Sequence, residues 1–236
     1  DDPFGAFSDD SDTGPARVNG PMNLSADLTH AWSEPGTEVM IGYTASPRYG
    51  FYNGGLTLLN TVNEDVLGPF KPVLSHVSFK VKNDHLEHTL TRDNVLQDDA
   101  WRETMNRVVR AHRELRERLV DRCCEAVTSG EPLERWHSAL ATECEPGGSF
   151  ARSIEARPLF RTVLGRPTTL LEVRKQEATV GQVLVGSEAN ALHHAVQSLG
   201  VEAVLDSPGT RALLDATRLP AMFEWLRGAR QVRRLE

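Results

Sequence analysis

The sequence predicts an α/β (α+β) protein made of two α/β subdomains that are joined by helices. Three patterns support this prediction. Val77, Phe79 and Val81 alternate with polar residues, which is the period-two pattern of a strand with one buried face. From Asp98–Thr128 apolar residues recur every three or four positions, as they do on the buried stripe of a long helix. Residues 181–205 have the strand, helix and strand pattern of a βαβ unit, which contains a parallel pair.

The composition indicates a chain with its own hydrophobic core and excludes several functions. Its 236 residues are 39% hydrophobic and 25% charged, which is enough for one large domain or two small ones. The net charge of −7 argues against binding to a nucleic-acid backbone, which requires a basic surface. No apolar run reaches the roughly 20 residues of a membrane span, and no signal peptide is visible. Three cysteines without a Cys-x-x-Cys spacing indicate reduced thiols, so we expect a cytoplasmic protein.

The domain organisation is predicted from shifts in composition and from helix breaks. Residues 1–20 are rich in Asp, Gly, Ser and Pro, so we expect a disordered acidic tail or a linker. Residues 21–130 are predicted to form the first α/β subdomain and residues 131–165 a helical connector. Residues 166–236 are predicted to form a second subdomain, the βαβ unit with a helical C-terminus. Because the chain begins with Asp rather than Met, we expect it to be part of a longer protein.

Two more strands are predicted in the first subdomain, at Glu38–Thr44 and Gly55–Leu59. A connector follows at Val62–Val73, where two prolines limit the length of any helix. Three aromatic residues cluster on a glycine-containing loop between these strands: Tyr49, Phe51 and Tyr52. Exposed aromatic side chains mark interfaces, so this cluster is a candidate surface for client or partner proteins. The alternative is that the cluster packs in the core.

An arginine lies on the loop between the Val77 strand and the long helix. Asn83 and Asp84 end the strand, because both side chains compete for local backbone hydrogen bonds. Arg92 follows within a segment whose apolar residues are predicted to anchor the loop on both sides: Leu86, Leu90, Val95 and Leu96. An arginine held in this way is typical of one that must meet a phosphate.

The residues around Arg92 resemble the catalytic loop in the middle domain of the ninety-kilodalton heat-shock chaperones. In that family a valine-rich strand leads through a turn to an Asn-x-Ser-Arg-Glu-x-Leu-Gln loop and then to a helix. Three residues match this motif unchanged: Arg92, Leu96 and Gln97. Its Asn, Ser and Glu are replaced by Thr89, Thr91 and Asp93. The predicted strand–helix–strand unit is similar to one in the second part of the same middle domain.

The resemblance implies a role in ATP hydrolysis by a larger protein. It implies that Arg92 reaches the γ-phosphate of ATP, which a separate N-terminal ATPase domain of the same chain holds with Mg²⁺, and that Gln97 supports it. It also implies that the first subdomain has the transducer fold of GHKL-type ATPases. On this interpretation the chain alone binds no cofactor and is a catalytically silent monomer. The parent is then a homodimeric chaperone that acts on client proteins in protein folding and the stress response.

Other functions stay open on the sequence. The chain could be a protein-interaction or transducer module of another GHKL-superfamily ATPase, without a chaperone role. It could also be a small α/β enzyme that acts at the turn after Gly186. That turn lacks both the G-x-G-x-x-G and the P-loop patterns, and Glu188 places negative charge where a phosphate would lie. For Arg92 itself, the alternative to a catalytic role is an ion pair with Asp93 or Asp84.

No metal site is predicted. Three residues on the arginine-bearing loop offer ligands at a loose spacing and without a second ligand pair: His85, Glu87 and His88. Cys123 and Cys124 point about 100° apart on a helix, which indicates buried thiols rather than joint ligation of one ion.

Several later elements complete the prediction. Helices are expected at Pro132–Ala141 and Phe150–Leu164, whereas Thr168–Val173 is ambiguous between strand and loop. After Gly209 the chain is predicted to be helical to its end. His193 and its neighbour His194 lie on the βαβ helix, where we expect them to face solvent or a partly buried edge.

Overall fold

The computed structural model describes residues 22–91, 94–144, 149–181, 183–189, 191–198, 200–219 and 221–222. The chain forms two compact units, one that extends to Glu117 and one that begins at Arg118. Helices and strands occur in both units, so the predicted α+β fold class is confirmed. None of the described helices is both long enough and apolar enough to cross a membrane. The predicted tail at residues 1–20 lies outside the described residues.

Five strands form the sheet of the first unit. They are β1 (Leu28–Glu34), β2 (Thr37–Tyr43), β3 (Tyr49–Asn53), β4 (Leu56–Thr61) and β5 (Ser78–Asn83). Their order is β1-β2-β5-β3-β4, in which β3 and β5 are parallel and the other neighbours are antiparallel. A 3₁₀ segment (Glu64–Phe70) and helix α1 (Lys71–Leu74) connect β4 to β5. The last of the five strands in sequence is therefore the central one in space.

The alternation of residues along β5 places one of its faces in the core. Phe79 and Val81 have no exposed surface, whereas Lys80 and Lys82 are only half-buried. Asn83 then ends the strand, because its side-chain oxygen accepts a hydrogen bond from the backbone nitrogen of His85 at 2.8 Å. The chain leaves the sheet at this point, directly before the arginine-bearing loop.

Helix α2 (Asp99–Ser129) follows that loop, and its bounds agree with the predicted helix to within one residue at each end. Asp98 caps it, since its Oδ1 accepts a hydrogen bond from the backbone nitrogen of Trp101 at 2.8 Å. Apolar residues of its first half pack with the sheet in one hydrophobic core. Gly130 ends the helix with a φ of 82°, a conformation that glycine adopts without strain.

The second unit contains the remaining short strands and helices. Its helices are α3 (Glu134–Glu143), α4 (Ser149–Ser153), α5 (Leu170–Val180), α6 (Ala191–Gln197) and α7 (Pro208–Ala216). Its strands are β6 (Phe160–Arg161), β7 (Pro167–Thr168), β8 (Val183–Gly186), β9 (Val204–Leu205) and β10 (Ala221–Met222). β6 and β7 form an antiparallel pair, and β8 lies between β9 and β10 in a parallel sheet. The predicted βαβ unit corresponds to β8, α6 and β9.

The structure corrects two predictions for the part of the second unit that precedes β8 in the sequence. The helix predicted at Phe150–Leu164 is wrong beyond Ser153, where α4 ends. Pro158 cannot continue a helix, and the chain enters β6 two residues later. The segment that was ambiguous in sequence begins α5, because Thr169 and Glu172 form a capping box in which each side chain bonds the backbone of the other.

The prediction of a continuous helix to the C-terminus is also wrong. α7 ends at Ala216, and the hydroxyl of Thr217 donates to carbonyl oxygens of the preceding turn. Arg218 has a φ of 61°, which turns the chain toward β10. Residues 223–236 lie outside the described residues. The proposed domain boundaries at residues 130 and 165 stay predictions.

Candidate functional site

The segment from Asp84 to Gln97, which we call the arginine loop, is built as a short antiparallel stem. The backbone nitrogen of Thr89 donates to the carbonyl of Asn94 at 2.9 Å, and that of Leu96 donates to the carbonyl of Glu87 at 2.8 Å. Between these two pairs, His88 and Val95 form a β-bridge. Asn94 and Val95 separate Asp93 from Leu96, whereas a single residue separates the Glu from the Leu in the chaperone motif. The loop is therefore one residue longer than the motif that it resembles.

Arg92 and Asp93 lie outside the described residues, so the predicted role of Arg92 and its alternative pairing with Asp93 stay predictions. In the sequence they follow Thr91 and precede Asn94, which belong to the two sides of the stem. Thr91 is exposed and Leu90 is fully exposed immediately before them. The described part of the loop is therefore exposed at its last two residues before Arg92.

Only two of the four predicted apolar anchors are buried. Leu86 and Val95 are each 1% exposed and belong to the core of the first unit. Leu90 and Leu96 face solvent instead, so the prediction that they anchor the loop is wrong. Leu96 directly follows Val95, so their side chains point to opposite faces of the stem. Leu90 lies beyond the Thr89–Asn94 hydrogen bond of the stem. One buried anchor on each side of the stem holds the loop against its own unit.

A side chain from the sheet reaches the entrance of the arginine loop. The amide nitrogen of Asn53, at the end of β3, donates to the carbonyl of Leu86 at 2.8 Å and to the carbonyl of Asp84 at 3.2 Å. Sequence reasoning missed Asn53, because its partners lie more than thirty residues away. The one signal was its place before Gly54-Gly55, which indicates a tight turn rather than a contact with another loop.

Gln97 lies at the exit of the arginine loop and is tied to its own unit. Its side-chain nitrogen donates to the carbonyl of Val66 at 3.4 Å, although Gln97 is an exposed residue. A Cβ at Gly68 would lie 3.5 Å from the Gln97 oxygen and 3.2 Å from the ring of Trp101. The 3₁₀ segment that contains Val66 and Gly68 therefore supports the exit of the loop. The predicted catalytic role of Gln97 stays a prediction.

Threonine replaces both the Asn and the Ser of the motif, on the side of the stem that follows β5. The Oγ1 atoms of Thr89 and Thr91 are 3.3 Å apart, and Thr89 Oγ1 also donates to the carbonyl of Asn94 at 3.3 Å. The contact with Asn94 joins the two sides of the stem, whereas the contact between the threonines lies within one side. Threonine at both positions thus adds hydrogen bonds within the loop.

Two residues of the aromatic cluster that was a candidate surface for client proteins are buried in the core. Tyr49 and Phe51 have no exposed area, and both rings lie 5.5 Å from the ring of Phe79 in the core. Burial, with a smaller effect of Glu64, raises the pKa of Tyr49 to about 12. Tyr52 is half-buried. Because the segment is the strand β3 rather than a loop, its side chains alternate between faces, and the core-packing alternative is correct for Tyr49 and Phe51.

The histidine-rich part of the arginine loop does not gather metal ligands. His85 and Glu87 are exposed, whereas His88 is half-buried in the stem. Among the described residues, no group of three potential ligand atoms includes any of these side chains. The stem explains this arrangement, because it spreads consecutive residues over two faces.

In the second unit the turn after β8 is filled by a histidine. His193 is buried, contrary to the prediction, whereas His194 is exposed. A Cβ at Gly186 would lie 2.6 Å from the Nε2 of His193, so only glycine fits beneath this ring. The imidazole occupies the space beside Gly186, which argues against the alternative that a small ligand binds there.

The cysteines of α2 are poor nucleophiles. Cys123 is buried and its thiol faces the carbonyl of Leu159 at 3.7 Å. Burial raises the pKa of Cys123 to about 12, and burial also raises the pKa of Cys124 in spite of the nearby Arg157. Thiolates are the reactive form, so neither residue is a candidate catalytic group.

Comparison of the chain with models of protein families gives no match, and comparison with curated proteins gives none either. The arginine loop therefore carries the functional argument through its own geometry.

Proposed function

We propose that this chain is the middle domain of an ATP-dependent chaperone of the ninety-kilodalton heat-shock type. In this proposal Arg92 contacts the γ-phosphate of ATP that another domain of the parent protein holds. The observation that carries the proposal is the arginine loop itself. Its stem is anchored by Leu86 and Val95, and the two residues that precede Arg92, Leu90 and Thr91, are exposed. Arg92 matches the chaperone motif, and Leu96 and Gln97 match it after one additional residue, which supports the same role.

The chemistry assigned to Arg92 is electrostatic. Negative charge on the oxygens of the γ-phosphate must be stabilised in the transition state of phosphoryl transfer, and a guanidinium can do this with two parallel hydrogen bonds. Mg²⁺ bound with ATP in the other domain would neutralise part of the same charge. The buried anchors Leu86 and Val95 would serve this chemistry by lowering the entropy that the stem loses when the loop binds a phosphate.

In the proposal, the first unit has the transducer fold of GHKL-type ATPases. β5 is inserted between β2 and β3, and the loop that follows it leads directly to α2. In the proposal, the parent is a cytoplasmic homodimer and this chain contributes a surface for client proteins. The free thiols of the three cysteines are compatible with a reducing compartment. Because Tyr49 and Phe51 are buried, clients must bind elsewhere on the chain.

The test is the ATPase activity of the full-length parent with Arg92→Ala. We expect turnover to fall by roughly 10³-fold, the lower limit for arginines that stabilise a transferred phosphoryl group. Arg92→Lys should recover only part of this loss, because an ammonium cannot form the planar pair of hydrogen bonds. Arg102→Ala is the matched control, since Arg102 is an exposed arginine that pairs with Asp99 in the first turn of α2. It should leave turnover unchanged.

Unchanged turnover in Arg92→Ala, with a wild-type circular dichroism spectrum, would remove the catalytic part of the proposal. The alternative, a transducer or interaction module of another ATPase, is distinguished by client protection. If Arg92→Ala impairs ATP turnover but the parent does not suppress the aggregation of an unfolded protein, the chaperone assignment is wrong and the transducer assignment remains.

A further inference from the structure

Asn53 is followed by two glycines, at the end of the hairpin that β3 and β4 form. Asn53 pairs with Leu56 across the hairpin, so Gly54 and Gly55 make a two-residue turn. Gly54 has a φ of 55°, and a Cβ at this position would meet no atom within 4 Å. The backbone nitrogen that follows Asn53 therefore belongs to a residue with no side chain and with open space around it.

An asparagine before a glycine is chemically labile, because no side chain on the next residue hinders attack by its backbone nitrogen. The nitrogen of Gly54 would attack the side-chain carbonyl carbon of Asn53 and form a cyclic imide, a succinimide. The bond from that carbon to the side-chain nitrogen would break, and ammonia would leave with the proton that Gly54 lost. Water would then open the ring to aspartate or to its β-linked isomer, isoaspartate. Water is the only co-reactant.

In the folded chain the amide that would react is bound by the arginine loop. The Asn53 side-chain nitrogen donates to the carbonyl of Leu86 at 2.8 Å and to the carbonyl of Asp84 at 3.2 Å. Both partners are acceptors, so the two protons of the NH₂ group serve the two carbonyls. Donation increases the electron density on that nitrogen, which makes the amide carbon a weaker electrophile. Leu86 is itself 1% exposed and belongs to the core of the first unit, so its carbonyl is held in place.

We propose that Asn53 is a site of spontaneous deamidation that the arginine loop controls. The side chain is protected while Asp84 and Leu86 bind it, and it reacts with Gly54 when the entrance of the loop opens. The product carries a carboxylate, which cannot donate to two carbonyl oxygens, so the contact is not restored. The modification thus records an opening of the loop entrance and makes it permanent. This role does not depend on whether the loop serves an ATPase.

The first part of the test compares the folded chain with the same chain in urea, at one mildly alkaline pH and one temperature. Peptide mapping by mass spectrometry would follow the conversion of Asn53 to aspartate and isoaspartate. The conversion should be roughly 5- to 30-fold slower in the folded chain, the range that one or two hydrogen bonds correspond to. Equal rates in the two states would overturn the proposal, and so would an Asn53 that stays intact in urea.

Two other asparagines of the chain serve as internal controls. Asn19 precedes the other Asn-Gly pair of the sequence, and in urea it should react at a rate similar to that of Asn53, because only the chemistry of the dipeptide then remains. Asn60 is exposed in β4 but precedes Thr61, whose side chain hinders attack, so it should stay unmodified in both states. Conversion of Asn60 as fast as that of Asn53 would contradict the role of Gly54.

The second part of the test loosens the loop without changing the reacting pair. Leu86→Ala removes the buried anchor and should speed the conversion of Asn53 in the folded chain, by up to the same roughly 5- to 30-fold. Circular dichroism would verify folding, and Leu86→Val replaces this variant if it does not fold. Leu90→Ala is the matched control, since Leu90 is fully exposed in the same loop, and it should leave the rate unchanged. An unchanged rate in a folded Leu86 variant would overturn control by the loop.

The third part measures what the modification does to the loop. Asn53→Asp reproduces one of the two products, and amide hydrogen exchange would report on the stem through Leu96, whose backbone nitrogen donates to the carbonyl of Glu87. The Leu96 amide should exchange roughly fivefold faster, for the loss of about one hydrogen bond. Asn60→Asp adds the same charge at an exposed position of β4 and should not change this rate. Unchanged exchange at Leu96 in Asn53→Asp would contradict a permanent opening.

Discussion

At the scale of single residues, His137 shows how burial sets the charge of a side chain. It has no exposed surface, its Nε2 donates to the carbonyl of Leu159 at 2.7 Å, and its Nδ1 lies 3.0 Å from the hydroxyl of Thr210. Burial is the main reason that the pKa of His137 falls to about 4, with a smaller effect of Arg161 in the same direction. The bond to Leu159 and the charge of Glu134 oppose this shift without reversing it. His137 is therefore neutral in the folded protein at pH 7.

This burial predicts that the second unit is less stable at mildly acidic pH. The unfolded chain binds a proton at His137 near pH 6.5, whereas the folded chain does so only near pH 4. Between these values the unfolded state holds more protons, so the free energy of unfolding should fall with pH by on the order of 3 kcal/mol in all. Denaturant unfolding between pH 7.5 and pH 4, followed by circular dichroism, would measure this loss. His137→Asn should show a smaller loss; an equal loss would contradict the assignment to His137.

At the scale of elements, α3 and α7 meet at a glycine. A Cβ at Gly209 would lie 2.4 Å from the backbone oxygen of Glu134 and 3.0 Å from the hydroxyl of Ser138. The backbone nitrogen of Gly209 also donates to the Glu134 carboxylate at 2.8 Å. The negative charge of Glu134 thereby lies at the N-terminus of α7, where the helix dipole favours it. The absence of a side chain at Gly209 is what permits this close approach.

The substitution Gly209→Ala should therefore destabilise the second unit. The methyl group would collide with backbone rather than with the mobile end of a side chain, so the helices must move apart, at a cost of about 2 kcal/mol or more. Chemical denaturation monitored at the far-ultraviolet helix signal would measure this cost. Arg211→Ala is the control on the exposed side of α7, where Arg211 forms an ion pair with Asp206. That change should cost less than about 1 kcal/mol, and equal effects of the two substitutions would contradict the packing argument.

At the scale of the whole molecule, the described residues offer no phosphate-binding glycine loop. The turn after β8 is filled by His193, and the N-terminus of α7 already holds the carboxylate of Glu134. The net charge of −7 also opposes the capture of a free nucleotide. In the proposed function, the nucleotide is held by another domain of the parent protein.

The isolated chain should accordingly hydrolyse no ATP, whereas the full-length parent should do so. A coupled ATPase assay with equal molar amounts of both proteins would make this comparison, and thermal denaturation with and without Mg²⁺-ATP would test for binding. ATP bound at 100 times its Kd would stabilise the chain by about 2.7 kcal/mol, so a clear rise in its Tm with Mg²⁺-ATP would contradict a catalytically silent middle domain.

The sequence by itself determined the local elements whose physical causes are local. The alternation of Val77, Phe79 and Val81 fixed a strand with one buried face, and the apolar stripe of α2 fixed a helix to within a residue at each end. These patterns are readable because burial on one side of an element repeats with the period of that element. The same reasoning placed an arginine on a loop between β5 and α2.

Only the tertiary structure decided which side chains share a neighbourhood. Leu90 and Leu86 look alike in sequence, yet one is fully exposed and the other is buried, because Leu86 packs in the core of the first unit whereas Leu90 lies beyond the Thr89–Asn94 hydrogen bond of the stem. The aromatic residues of β3 turned out to be core, and Asn53 turned out to hold the entrance of the arginine loop. Contacts of this kind depend on the order β1-β2-β5-β3-β4, which brings distant segments together and leaves no periodic signal in the chain.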